Sequence, residues 1–185
     1  MTRILIVYGT FDGQTRRIAE RIGAVLTASG HAITLRDAQR PLAASDIRAH
    51  DAVVVGGAIR YGKLPRALER FAGTHAAALG ACPNAFFCVC MAARDPVRGP
   101  EAAGAYTARF VARTGWKPDV TASFAGALQY TRYNPFIRLM MRLISGSQGG
   151  NTDTSRDHEY TDWDSVERFA RDVAARFTQP GRAAA

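Results

Sequence analysis

Cysteine is scarce: the chain holds three, Cys82, Cys88 and Cys90, none in a C-x-x-C pair. An odd number at that spacing argues against a closed disulfide set and points to a reducing compartment. Cys88 and Cys90 are expected to share one strand face as small buried hydrophobes. Histidine is as sparse, and His31, His50, His75 and His158 form no helical ligand pair, so no metal site is expected. No apolar run reaches the ~18 residues that cross a bilayer. The first strand starts so close to Met1 that no secretory leader is expected. Neither G-x-x-x-x-G-K-[ST] nor G-x-G-x-x-G occurs, which removes the usual support for nucleoside triphosphate hydrolysis and for a dinucleotide fold. Acidic residues are the minority, 16 against 24 Lys and Arg, for a net charge of +8. Such a balance calls for an anionic partner: nucleic acid, an anionic membrane face or an acidic substrate. The basic residues are spread over several helices without aromatic interleaving, so no nucleic acid is expected.

What the chain does have is clearest at Ile4-Leu5-Ile6-Val7-Tyr8-Gly9-Thr10-Phe11-Asp12-Gly13-Gln14-Thr15. An uninterrupted apolar run too short for a helix reads as a strand buried on both faces, the pattern of a central parallel strand. The loop that follows therefore lies at the strand's C-terminal end. Thr10 and Thr15 offer hydroxyls, Gly13 allows close backbone approach, and the free amides opening the next helix favour an anion. A phosphate fits there without lysine. The pattern T-x-x-G-x-T resembles the FMN phosphate loop of flavodoxins.

Downstream, Ile18, Ile22, Val25 and Leu26 predict a helix over 15–29, stopped by Gly30. A short strand is expected over 32–36, a buried one over 51–57 and another over 84–91. Helices follow near Pro65 and over 100–113. Strand five is expected over 120–127, and a last helix opens at Thr161 with Asp164 as a near capping box. At 185 residues the chain is one domain in size. The alternation predicts an α/β fold, a doubly wound five-stranded parallel sheet, with ligands at its carboxyl edge. We expect a single unit over 1–177 and a flexible tail over 178–185.

Three loops converge on that edge: 10–15, 58–62 and 91–94. Ala58, Ile59, Arg60, Tyr61 and Gly62 form a tight turn whose backbone suits the polar edge of a flavin ring, with Tyr61 able to stack. Met91, Ala92, Ala93 and Arg94 bring small side chains and no aromatic, leaving one ring face open to a substrate. With T-F-D-G-Q-T-R, G-A-I-R-Y-G at 57–62, A-A-R-D-P at 92–96, A-G-A-L-Q-Y-T-R-Y at 125–133, and T-D-T followed by Y-T-D-W near the C-terminus, the chain resembles the flavodoxin-type, quinone-dependent protoporphyrinogen IX dehydrogenases of haem biosynthesis. The likeness runs over about residues 3–177. It implies an FMN enzyme that takes six electrons from protoporphyrinogen IX in paired steps and passes them to a membrane quinone. It also implies an insertion after strand five, about 129–160. No residue is singled out as catalytic, since a flavin performs the electron chemistry itself.

Within the insertion, Phe136, Ile137, Leu139, Met140, Met141, Leu143 and Ile144 mix with Arg138 and Arg142 in residues 135–146. A helix of that length spans about 18 Å, too short to cross a ~30 Å hydrocarbon core. It either lies in an anionic membrane interface, with its arginines on lipid phosphates, or packs on the sheet and caps the flavin site. Arg60, Arg94 and Arg132 are candidate partners for the substrate's carboxylates. The expected location is cytoplasmic, with peripheral contact on the inner membrane's cytoplasmic face. Whether copies assemble into a homo-oligomer stays open. An electron-carrying flavodoxin and an NAD(P)H quinone reductase are the alternatives on this scaffold, the first opposed by the +8 charge because such carriers are usually acidic.

Overall fold

The computed structural model describes residues 1–97, 99–147 and 150–178. Strand β1 (Arg3–Gly9) is an interior strand of the sheet, and Ile4 to Val7 are completely buried. It pairs in parallel with β2 (Ala32–Asp37) on one side and β3 (Ala52–Ala58) on the other. Strands β4 (Asn84–Val89) and β5 (Val120–Phe124) complete a five-stranded sheet of order β2-β1-β3-β4-β5. The reversal of strand order lies between β1 and β3, so a crevice opens at their C-terminal ends.

Side chains alternate across this sheet, as the two-residue strand period requires. Ile4, Ile6, Val54 and Phe87 face one layer, in which helices α1 (Gln14–Ala28) and α7 (Trp163–Thr178) pack through Ile18, Ile22, Phe169 and Val173. Leu5, Val7, Val53 and Phe86 face the other, against α3 (Arg66–Thr74) and α5 (Gly99–Thr114). Each such side chain contributes roughly 1.5–3 kcal/mol by leaving water. Close packing has one visible consequence at Gly56: a Cβ there would stand 2.0 Å from the Phe87 ring, so glycine makes room for the aromatic.

Two short helices, α2 (Ala44–Arg48) and α4 (Ala76–Gly80), have no sequence counterpart because one turn is too short to show a period. Three expectations shift. Strand four ends at Val89, and Met91 opens a 3-10 turn over Met91–Arg94. Strand five ends at Phe124, and Ala127–Leu128 form a separate strand β6 antiparallel to β7 (His158–Glu159). The last helix is capped by Asp162, whose Oδ1 accepts the amides of Asp164 (3.1 Å) and Ser165 (3.2 Å). Thr161 is spent elsewhere, donating to the Ala125 carbonyl (2.8 Å). Thr178 closes that helix. The rest of the expected tail lies outside the described residues.

Between β6 and β7 the chain makes a 3-10 turn (Tyr130–Arg132) and helix α6 (Pro135–Ser147). Ile137 and Met141 of α6 pack on Leu128, Tyr130 and Tyr133. Arg138 ties the helix down by donating to the carbonyls of Tyr130 (3.0 Å) and Tyr133 (3.3 Å). Among the described residues no helix is long and apolar enough to cross a membrane.

Candidate functional site

The loop after β1 is shaped by its own side chains. Thr10 Oγ1 accepts the Gly13 amide at 2.9 Å, folding the loop back on itself. Gly13 has φ +93, a left-handed conformation that disfavours any Cβ, while nothing of the protein stands within 4 Å of where one would be. Glycine is thus demanded by backbone geometry rather than by crowding. Helix α1 begins immediately after it with no side-chain cap and no acidic residue in its first turn. Its opening amides have no partner within the helix, and the Thr15 hydroxyl beside them is buried, 1% exposed, without a hydrogen bond. A buried orphan hydroxyl beside uncapped amides fits a phosphate, which would satisfy both.

That loop forms one wall of a cleft of about 250 Å³ at the carboxyl edge of the sheet. Thr10, Phe11, Asp12, Gln14 and Thr15 line it together with Ala58, Ile59, Arg60, Tyr61, Gly62, Met91 and Ala92. Gly13, Ala93, Arg94 and Arg132 are not among its lining residues. Ala93 packs with the core beneath α5, Arg94 stands 5.1 Å over the Tyr160 ring, and Arg132 is exposed. Tyr106, Tyr133, Met141 and Ile144, none of which the sequence assigned as a cofactor or substrate contact, close the far side. Met141 and Ile144 come from α6, so the insertion roofs the cleft. Tyr133 lies in the quoted Q-Y-T-R-Y stretch, but nothing in its spacing aims it back at the first loop.

Polar side chains bind these walls to one another. Arg60 forms an ion pair with Asp12, and its guanidinium lies 4.8 Å from the centre of the Phe11 ring. Tyr133 donates to Asp12 at 3.2 Å. Burial disfavours the Arg60 charge most, yet the hydrogen bond to Asp12, its negative charge and the nearby phenols together outweigh burial and raise the pKa. Burial first, and then the negative charge of Asp12, push the Tyr133 phenol up to about 12. On the opposite side Gln14 Nε2 donates to Glu159 (3.1 Å) and Thr161 (2.8 Å), and Arg17 pairs with Glu159 at 2.9 Å. The loop after β1 is therefore stitched to both ends of the insertion.

Two expectations change in detail. The Ile59 amide is spent on the Val89 carbonyl (2.7 Å) and the Arg60 amide on that of Lys63 (2.9 Å), so these two cannot serve a ring edge. Arg138, expected on lipid or on a wet edge, is turned inward to the carbonyls of Tyr130 and Tyr133. Arg142 does remain exposed. At the cleft floor Cys90 is a neutral wall: its hydrogen bond with Cys88 and its burial both push the thiol well up.

The fold has many solved counterparts. Oxidised flavodoxin 1 from Bacillus cereus superposes with a TM-score of 0.58 at 15% identity, covering 94% of this chain and 98% of that one. A short-chain flavodoxin associated with a PDU bacterial microcompartment gives 0.59 at 13%, over 96% of this chain and all of that one. The flavodoxin domain family matches residues 5–155. The protein named protoporphyrinogen IX dehydrogenase [quinone] of Escherichia coli K12 is 36% identical over 178 residues, 96% of this chain and 98% of that protein. The Leishmania major protein of the same name is 34% identical over 94% of this chain and 75% of its own length. The chain belongs to the flavodoxin domain family and, within it, to the group that includes these quinone-dependent protoporphyrinogen IX dehydrogenases.

Proposed function

We propose that this protein binds FMN and oxidises protoporphyrinogen IX to protoporphyrin IX, delivering the electrons to a membrane quinone in haem biosynthesis. The observation that carries the reading is the cleft itself. An orphaned Thr15 hydroxyl and uncapped amides stand at one end, and aromatic and apolar walls at the other. Support for the substrate comes from relatives of that name that match nearly the whole chain.

Thr10, Gly13 and Thr15 would hold the phosphate, with Phe11, Asp12 and Gln14 completing that wall. Ala58 to Gly62, Met91 and Ala92 would flank the ring, the Tyr61 and Gly62 backbone meeting its polar edge. FMN, when bound, supplies a two-electron acceptor that a quinone can reoxidise. Each electron pair leaves the substrate with two protons and converts one quinone to its quinol. The chain's own work is positional. The Asp12–Arg60–Tyr133 cluster fixes the first loop, and Met141 and Ile144 keep water from the roof.

Delivery to a quinone dissolved in lipid requires contact with a membrane, and α6 has the surface for it. Phe136, Leu139 and Leu143 are 76%, 56% and 67% exposed on one stripe, with Arg142 nearby and exposed. A helix that lies in an interface has that arrangement, apolar side chains toward acyl chains and cations toward lipid phosphates.

The test is anaerobic. Purified protein reconstituted with FMN is mixed with protoporphyrinogen IX and a soluble quinone, and porphyrin fluorescence should rise faster than with flavin-free protein. Equal rates would overturn the reading.

A further inference from the structure

A second hollow of about 200 Å³ adjoins the cleft and shares Ile59, Tyr61, Gly62 and Tyr106 with it, so the Tyr61 turn and Tyr106 form a wall common to both. Its other walls carry charge. Lys63, Arg109 and Arg113 stand against the single carboxylate of Glu69, which Arg113 engages at 3.2 Å. Lys63 and Arg109 are paired with no carboxylate among the described residues. The hollow therefore presents two positive charges with no carboxylate partner among the described residues beside a mostly apolar cleft.

The turn between the two spaces is strained. Arg60 and Lys63 bridge each other through their backbones (2.9 and 3.1 Å), forcing Tyr61 to φ 51 and Gly62 to φ 72. Positive φ at both central positions is the mark of a type I′ turn. A left-handed conformation is one that a tyrosine rarely adopts. The result is a large ring, 61% exposed, held upright between the cleft and the basic hollow. An aromatic post beside two unpaired cations suits a flat apolar ligand that carries two acids at one edge.

We infer that Lys63 and Arg109 bind the two carboxylates of the porphyrinogen, with Tyr61 guiding the macrocycle between this shelf and the flavin cleft. The inference rests on the proposed function. It also reassigns a role, because the arginines suggested by the sequence are placed otherwise: Arg60 is held by Asp12, Arg94 lies over Tyr160, and Arg132 is outside the cleft. Lys63 and Arg109 come from a turn and from α5, and only the fold brings them to one hollow.

The experiment measures binding rather than turnover. The FMN-loaded protein is titrated with protoporphyrin IX and, separately, with its dimethyl ester, following porphyrin fluorescence. Wild type should prefer the diacid, and the double variant Lys63→Glu, Arg109→Glu should lose about tenfold in affinity for it, the scale of two exposed ion pairs. Affinity for the ester should stay unchanged, as should FMN content. The neutral pair Lys63→Met, Arg109→Gln should fall between wild type and the reversal. Equal affinity of wild type and reversal for the diacid, or of wild type for diacid and ester, would overturn the shelf while leaving the enzymatic reading intact. Wild type that binds neither porphyrin and does not speed porphyrinogen oxidation would sink both.

Discussion

The sheet's carboxyl edge and helix α6 face each other across one cleft, yet they are held in opposite ways. Beneath the edge, Ile4 to Val7, Val53 to Val55, Phe86 and Phe87 are completely buried, and the loops rise from strands packed on both faces. Helix α6 buries only its inner side, through Ile137 and Met141, and leaves Phe136, Leu139 and Leu143 in water. Its tethers are hydrogen bonds: Arg138 to two carbonyls, Ser145 Oγ to the Asn151 carbonyl at 2.9 Å, and Tyr130 to that same carbonyl at 3.0 Å. A rigid floor under a lightly fastened roof suits a site that must keep a cofactor while it admits and releases a large flat substrate.

The contrast breaks first on stability. Phe87→Ala should cost about 3–5 kcal/mol in urea unfolding, because the ring is buried against Gly56. Leu139→Ala on the exposed face should stay within about 0.5 kcal/mol. Similar values for the two would mean that α6 is as firmly packed as the floor.

Next in size is the phosphate cradle. Thr15→Val should weaken FMN binding roughly 10–100-fold, the worth of one hydrogen bond to a charged group, with Thr15→Ser restoring most of it. A fluorescence titration of the flavin-free protein checks this, and unchanged affinity would move the phosphate elsewhere. Gly13→Val should also lose FMN while leaving the helical circular dichroism intact, since the strain at φ +93 is local.

On the roof, Phe136→Ser, Leu139→Ser and Leu143→Ser together should cut co-sedimentation with phosphatidylglycerol vesicles several-fold and leave the melting temperature almost unmoved. Retained binding would remove the membrane contact from α6.

The smallest effect sharpens the join between the two regions. Tyr133 should ionise near pH 12 in an absorbance titration, about two units above a free phenol. The folded state holds that proton more tightly than the unfolded chain, so the stabilisation is present in full below about pH 10 and is lost as pH rises toward 12. Tyr133→Phe should abolish that part of the alkaline slope. A phenol titrating near pH 10 would mean that Tyr133 does not lie against Asp12.

Much of the edge was legible in the chain because it depends on local rules. Four apolar residues followed by Thr10, Gly13 and Thr15 state a buried strand, a turn and an uncapped helix within one short stretch. Where the reading slipped, a distant partner had intervened. Ala127 looks like the end of strand five, but together with Leu128 it pairs with His158 and Glu159 across the insertion. Thr161 has the form of a helix cap, yet its hydroxyl is taken by Ala125 and its place by Asp162. Arg138 sits in a pattern that suits lipid phosphates, and two backbone carbonyls claim it instead.

By itself the sequence determined the α/β alternation, the buried strands and the three loops that meet at their ends, since period, hydrophobicity and turn chemistry act between near neighbours. Only the tertiary structure decided which charges are spent and which stay open. Asp12 meets Arg60 and Tyr133, while among the described residues Lys63 and Arg109 meet no carboxylate beside Tyr61, and no spacing along the chain encodes either outcome. An ion pair exists only where the fold brings two charges within a few ångströms, and that distance is set by the packing of the whole sheet.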